Sequence, residues 1–346
     1  MIQIIHLIPG KLVYGAGSML DELNFAIDKH FHDVANQSII SIDSESQDQG
    51  NNCVHPDRLL QYIQKTYSKP VVFMHKIANT NCSKASEALY GQVPFSIINH
   101  TQSRNHKGLA PCDRLICVSD HMYRCLKSIS PGKKTTVIRN GVNACRYEGV
   151  DALHRPENEG WFKTGRLNNF NATKHPNSWC SWVGGCNLRK KSHWHDYLGG
   201  GGKLESARVQ SARVDKVYRR QKYKVHINLP GRIIDFEEKV AIINSWDLFL
   251  YEIVGEEGTS MSMLEALACG KPALINNKPG NTECIQKNIN GFVCKDRNSL
   301  YDKLQYLSSN SNALSDMKAS TEEHFTNHLD AKYMASRYIE VAKTLL

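Results

Sequence analysis

Short apolar runs rich in Val and Ile recur through the first third of the chain: IQIIHLI (2–8), SIISI (38–42), PVVFMH (70–75), FSIINH (95–100), RLICVS (114–119) and TTVIRN (135–140). Each has the length of a strand and is bounded by turn residues. Between several of them lie stretches of helical period, SMLDELNFAIDKHF (18–31) and PDRLLQYIQKTY (56–67). Alternating strands and helices predict a parallel sheet covered on both faces. The segment NGVNACRYEGVDALHRPENEG (140–160) then breaks the pattern with turn formers and charge, and reads as a crossing between domains.

The alternation restarts at GWFKTGRL (160–167) and continues through HDYLGGGG (195–202), KVHINLPG (224–231), SWDLFLYE (245–252), KPALIN (271–276) and GFVCK (291–295). Helical patterns fall between, at 204–220, 236–245, 262–269 and 298–309, and the tail from about 316 to 346 predicts helix throughout. The stretch HPNSWCSWVGGCNLRKKSHWH (175–195), with three tryptophans, fits neither period and is expected to be an irregular insertion. The resulting expectation is an α/β protein of two doubly wound domains facing across a cleft. The first covers 1–145, with a last helix, 328–346, packing back on it; the second covers 146–327. Ligands of such folds bind beyond the carboxyl ends of the strands.

Composition narrows the class. A chain of 346 residues with 41% hydrophobic and 22% charged residues is globular, and no run approaches the ~20 apolar residues of a membrane-spanning helix. The N-terminal stretch reads as a strand entering a glycine loop, not as a secretion signal. Eleven cysteines are scattered singly without a Cys-x-x-Cys pair, which suits reduced thiols and a cytoplasmic setting. Cys180, Cys186, His193 and His195 match the spacing of no common zinc module, so no metal site is expected. The net charge of +9 is concentrated between Arg189, Lys190 and Lys191 and Arg219, Arg220, Lys222 and Lys224. That is either a solvated face or a surface for peripheral contact with anionic membrane or nucleic acid.

The candidate chemistry gathers around EEGTSMSMLEALACGKP (256–272), which follows an apolar strand. Glu257 lies on the loop before a helix and Glu265 in its first or second turn, with Ser260 or Ser262 at the cap. A helix start seats phosphate, and a carboxylate accepts paired hydrogen bonds from a vicinal diol, so this arrangement fits both ends of a sugar nucleotide. Arg166 and Lys174, on the loop after a strand, supply cations for a diphosphate. Gly15 and Gly17 form a glycine turn between strand and helix. His100, with Asn99, ends one strand, and His75 with Lys76 ends another.

In order and spacing these motifs resemble the retaining glycosyltransferases of family 4, which have the GT-B fold. The resemblance runs through ICVSDHMYRCL (116–126), VIRNGVN (137–143), GRLNNFNATKHP (165–176), EGTSMSMLEALACGKPALI (257–275) with its Glu-x7-Glu, and GNTECIQKNINGFVC (280–294). It implies that Glu265 binds the ribose of the donor and Glu257 contacts the transferred sugar. Gly258, Thr259, Ser260 and Met261 would bind the donor through the loop and helix start. Arg166 and Lys174 would stabilise the leaving diphosphate, Gly15 and Gly17 would lie beneath the phosphates, and His100 would line the reaction centre. The implied reaction needs no cofactor and no metal, in keeping with the absence of any Asp-x-Asp in the sequence. The implied donor is a UDP- or GDP-sugar. The acceptor hydroxyl belongs to a glycan or lipid-linked intermediate, or alternatively to modified DNA. A non-catalytic sugar-nucleotide binder is the alternative of another class, and a GT-B epimerase or phosphorylase a further one. The usual Gly-Phe-Gly after the first glutamate is Gly-Thr-Ser in this chain.

Overall fold

The computed structural model describes residues 1–9, 15–42, 53–76, 80–100, 111–129, 132, 134–171, 173–176, 178–186, 188, 191–218 and 222–346. The chain divides into two compact units: Met1–Asn143 with Glu257–Met261 and Asp330–Leu346, and Ala144–Glu256 with Ser262–Leu329.

In the first unit the strands are β1 (Ile2–Pro9), β2 (Ala35–Ile42), β3 (Cys53–Val54), β4 (Pro70–Lys76), β5 (Phe95–Asn99), β6 (Arg114–Cys117) and β7 (Thr135–Val137). They form one parallel sheet in the order β3-β2-β1-β4-β5-β6-β7. Strand order reverses at β1, which pairs with both β2 and β4, so the switch point lies at the carboxyl end of β1. The central strands are buried on both faces, and this is why they read as unbroken Val/Ile runs rather than alternating ones. Helices α1 (Gly15–His30), α2 (Leu59–Thr66), α3 (Thr80–Leu89) and α4 (Asp120–Ile129) connect them. Gly15 and Gly17 therefore lie in the first turn of α1, and the residues just before them, 10–14, lie outside the described residues.

The second unit repeats the plan with β8 (Phe162–Leu167), β9 (His193–Leu198), β10 (Val225–Gly231), β11 (Leu248–Tyr251), β12 (Ala273–Asn276) and β13 (Gly291–Cys294). Its parallel order is β10-β9-β8-β11-β12-β13, and β8 is the switch strand, paired with β9 and β11. Gly165 on β8 leaves room for an indole: a Cβ there would fall 1.9 Å from Cε2 of Trp246. The helices are α5 (Trp179–Gly185), α6 (Leu204–Tyr218), α7 (Phe236–Asn244), α8 (Met261–Ala268), α9 (Arg297–Ser309) and α10 (Ser311–His328). Side-chain caps start several of them. Asp235 accepts from the Glu238 N–H at 2.7 Å, and Asp296 forms a reciprocal box with Ser299.

The helical tail is not continuous. It breaks at Leu329–Asp330, where Asp330 pairs with Val142 and accepts from the Lys332 N–H at 2.8 Å to cap α11 (Ala331–Leu345). Helix α11 packs on α1 and β1, its Tyr338 edge-on to Phe73 at 5.4 Å.

The described residues of segment 175–195 are not irregular: they contribute α5 and the first residues of β9, and the tryptophans explain why the period is hard to read. Trp179 is fully buried, and Trp194 points its indole N–H at the buried Asp196 at 3.0 Å. Asp196 also accepts from Arg155 Nη1 at 3.0 Å, Asn228 Nδ2 at 2.8 Å and Trp246 Nε1 at 2.9 Å, which satisfies a carboxylate set into the middle of the sheet. With the Asp196 carboxylate and Trp194 on one face and His193 and His195, both bonded to Thr164 Oγ1, on the other, β9 loses its apolar signature.

Candidate active site

In the second unit the switch strand β8 carries Arg166 as its penultimate residue, with its side chain fully buried. Its guanidinium lies against three aromatic rings, with centroids at 4.4 Å for Tyr197, 4.5 Å for Trp179 and 5.2 Å for Tyr251. Desolvated cation–π contacts of this kind contribute ~2 kcal/mol. Nε donates to Asn168 Oδ1 at 2.9 Å, and Nη2 donates to the carbonyls of Lys174 at 2.8 Å and Glu252 at 2.9 Å. Nη1 is buried with no hydrogen-bond partner. Among the described residues no carboxylate pairs with this cation, so its charge is left for aromatic faces, carbonyl dipoles and whatever binds nearby.

Arg166 thus grips the loop that carries Lys174 instead of projecting from it. The loop is closed by Asn171, whose side chain accepts from the Thr173 and Lys174 N–H groups, and by Asn168, which also donates to the Lys174 carbonyl at 3.0 Å. The N–H groups of Val254 and Gly255 both donate to the Thr173 carbonyl at 2.9 Å, tying the loop to the chain leaving β11. Lys174 itself is partly buried. Beside it, His175 has its pKa lowered to about 4, by burial first and then by the Arg166 and Lys203 charges. Arg297 pairs with Glu252 at 2.9 Å, donates to Ser178 at 3.1 Å and lies over the Trp182 ring.

Helix α8 is largely apolar and buried, with Ser262 and Ala268 partly exposed, and it carries one charged residue, Glu265, in its second turn. Only 4% of that residue is exposed. Its Oε1 accepts from Lys239 Nζ at 3.1 Å, while Oε2 is buried with no partner. A buried carboxylate oxygen without a donor costs ~1–3 kcal/mol or more. Lys239, on α7, is a residue that sequence reasoning missed; FEEKVAI offers no signal beyond an ordinary amphipathic helix.

Glu257–Met261, the other half of the same signature, clusters with the first unit. Thr259 donates its hydroxyl to the Val118 carbonyl at 2.8 Å, and its own carbonyl accepts from Asn140 Nδ2 at 3.3 Å. Gly258 is required by close approach, since a Cβ would meet Val118 Cγ2 at 2.7 Å. Ser260, immediately before α8, and Met261, its first residue, are buried, and Glu257 is partly buried. The departure at Thr259 is therefore anchored by a hydrogen bond that a phenylalanine in its place could not donate.

His100, just past β5, is partly buried and joined to His75 through Nε2···Nδ1 at 3.0 Å, the rings stacked at 11°. His75 joins His6 at 3.1 Å, and His6 joins Gln37 Oε1 at 3.2 Å. Burial lowers the pKa of His6 and of His100 to about 4, and burial, then the His100 and His6 charges, lowers that of His75 well below its usual value. Sequence reading picked out His75 and His100 but not their direct bond or its continuation through His6 to Gln37.

Cys180, Cys186, His193 and His195 have other partners. Both imidazoles bond Thr164 Oγ1, at 2.8 and 2.7 Å, Trp179 Nε1 donates to His195, and burial raises both thiol pKa values. Among the described residues no group of three or more His, Cys, Asp or Glu could hold a metal ion. Arg189, Lys190, Arg219 and Arg220 of the basic region lie outside the described residues. No helix of the described residues is long and apolar enough to cross a membrane.

Residues 210–324 match the family model described as Glycosyl transferases group 1. Over 63 residues the chain is 32% identical to an uncharacterized glycosyltransferase of Methanocaldococcus jannaschii, a match covering 18% of this chain and 16% of that protein. The whole chain is similar in structure to Anabaena HepE in complex with UDP, at 14% identity and a TM-score of 0.74, over 99% of this chain and 100% of that one. It is similar to a glycosyltransferase from Rickettsia africae at 15% identity and a TM-score of 0.71, over 99% and 98%. A third likeness is to the trehalose-6-phosphate protein of E. coli bound with UDP-2-fluoro glucose, at 10% identity and a TM-score of 0.74, over 99% of each chain. The architecture of two Rossmann-like α/β units is the GT-B fold.

Proposed function

We propose that this chain is a retaining glycosyltransferase that moves a sugar from a nucleotide-diphosphate sugar to a hydroxyl of a glycan or lipid-linked acceptor, without a metal ion or cofactor. The observation that carries the reading is Glu265: a buried carboxylate with one oxygen held by Lys239 and the other lacking a donor. A ribose diol supplies the two O–H donors that such a carboxylate takes in parallel. Support comes from the family match across this part of the chain, and from the complexes of HepE with UDP and with UDP-glucose.

The remaining roles in this reading are those the resemblance implies. Lys174 stabilises the diphosphate as it leaves, and Arg166 positions it by holding its carbonyl and that of Glu252. Glu257 and the N–H groups from Gly258 to Met261 contact the transferred sugar and the phosphates, with Gly15 and Gly17 at the first turn of α1 contributing backbone close to the phosphates. His100 lines the reaction centre. The acceptor oxygen attacks the anomeric carbon on the face from which the nucleotide departs. The bond from that carbon to the phosphate oxygen breaks, and the departing phosphate takes the acceptor proton. Catalysis is then orientation and charge stabilisation.

The test is a panel of UDP-, GDP- and ADP-sugars assayed for binding and slow donor hydrolysis, with wild type compared against Glu265→Gln. One nucleotide is expected to bind, and its 2′,3′-dideoxy form to bind more weakly. Glu265→Gln should weaken the ribonucleotide ~10–100-fold, the worth of one or two hydrogen bonds to a charged group, and abolish the preference for ribose. Absence of binding and turnover with every donor would sink the proposal.

A further inference from the structure

Three histidines and a glutamine form a staircase across four adjacent strands of the first unit. In the register of the sheet Gln37 faces Ile4, His6 faces Phe73, and His75 faces Ile98. Each partner in the hydrogen-bonded series, Gln37 to His6 to His75 to His100, therefore lies two residues further toward the carboxyl end than the residue directly opposite. A step of two keeps every side chain on one face of the sheet. The series spans three strand spacings, about 14 Å, from β2 to the end of β5.

A chain of neutral imidazoles has two self-consistent arrangements, with every proton on Nε2 or every proton on Nδ1. Gln37 removes the second. Its Nε2 donates to the Asn24 carbonyl on α1 at 3.2 Å, which fixes the amide with Oε1 toward His6. An amide oxygen only accepts, so His6 carries its proton on Nε2 and offers Nδ1 as an acceptor. His75 must then donate from Nε2 to His6 and accept at Nδ1, and His100 must donate from Nε2 to His75. The lowered pKa values of all three keep each ring singly protonated near neutral pH.

We infer that Gln37, His6 and His75 are positioning residues that lock His100 in its Nε2–H tautomer, so that its Nδ1 presents a lone pair to accept a hydrogen bond from a substrate hydroxyl. The inference rests on the glycosyltransferase reading only for the identity of that hydroxyl, on the sugar or on the acceptor. A ring free to exchange tautomers would present a donor half the time, and a donor repels the hydroxyl proton that the site must hold.

Long-range proton–nitrogen correlation NMR on the full chain labelled with nitrogen-15 histidine reads the tautomers directly. His6, His75 and His100, assigned by single His→Gln variants, are all expected as Nε2–H at pH 7. A proton on Nδ1 of any of the three would overturn the relay. Gln37→Leu removes the acceptor that orders the series, and His100 should then show mixed tautomers. With the donor found in the panel, Gln37→Leu should lower kcat about tenfold, the worth of one hydrogen bond, and leave nucleotide affinity unchanged. An unaltered His100 tautomer or unaltered kcat in that variant would also overturn the proposal. If no donor turned over, the proposed function would fail while the tautomer measurements still decided the relay.

Discussion

Asp196→Asn tests the packing of the second unit, because the replacement keeps the shape of the side chain and alters one oxygen. Asp196 Oδ1 accepts from Arg155 Nη1, Trp194 Nε1 and Asn228 Nδ2, and all three survive if the asparagine oxygen takes that place. The amide nitrogen then stands where Oδ2 accepted from Trp246 Nε1 at 2.9 Å and from Arg155 at 3.0 Å, and donor meets donor. The Arg155 and Asp196 side chains are 14% and 1% exposed, so the arginine end retains some water and the carboxylate end has none. Breaking a buried pair costs ~3–5 kcal/mol. The partly hydrated arginine places the expected loss at the lower end, about 3 kcal/mol, which for a unit of this size lowers Tm by about 6–12 °C. The assay is simple because Trp161, Trp179, Trp182, Trp194 and Trp246, all the tryptophans of the chain, fall in the second unit. Intrinsic tryptophan emission during thermal or urea unfolding therefore follows this unit alone. A loss below ~1 kcal/mol would refute the argument, since it would mean that the indole and guanidinium donors find water or other acceptors without cost.

The same emission signal checks a pH dependence. His193 is fully buried with its pKa lowered to about 3 by burial, against 6.5 when exposed, so the unfolded chain binds more protons as pH falls below 6.5. Stability is complete above that value and declines as pH drops toward 3; by pH 5 the loss from this ring is about 2 kcal/mol, and an unchanged urea midpoint between pH 7 and pH 5 would contradict it. Arg166→Lys should lower kcat about 100-fold, as expected when a catalytic group moves by about 1 Å, because a single ammonium cannot hold Asn168, Lys174 and Glu252 together. Nucleotide affinity should change little, and a parallel loss of both would assign Arg166 to direct contact with the diphosphate.

The alternation of strand and helix was legible because burial on both faces of a parallel sheet forces apolar runs that composition shows directly. The position of Arg166 at a strand end and the spacing of Glu257 and Glu265 were legible for a related reason: strand ends and helix starts are local features. Segment 175–195 was not legible, since the residues that make β9 a strand include a carboxylate satisfied by Trp194, Asn228, Trp246 and Arg155, and three of those four donors come from outside the segment. The break at Asp330 was likewise invisible, as both flanks are helical and the cap depends on a pairing with Val142.

The amino-acid sequence by itself thus determined the two α/β units and named the charged residues at their strand ends. Only the tertiary structure decided which charge has which surroundings: Arg166 buried against aromatic rings, Glu265 held by Lys239 with one oxygen lacking a donor, and His100 at the end of a series headed by Gln37. The physical reason is that periodicity records burial, which is set locally by the pleat and the helical turn. Hydrogen-bond partners are set by register between strands far apart in the chain, where a shift of two residues would leave every apolar pattern intact and every one of these bonds unmade.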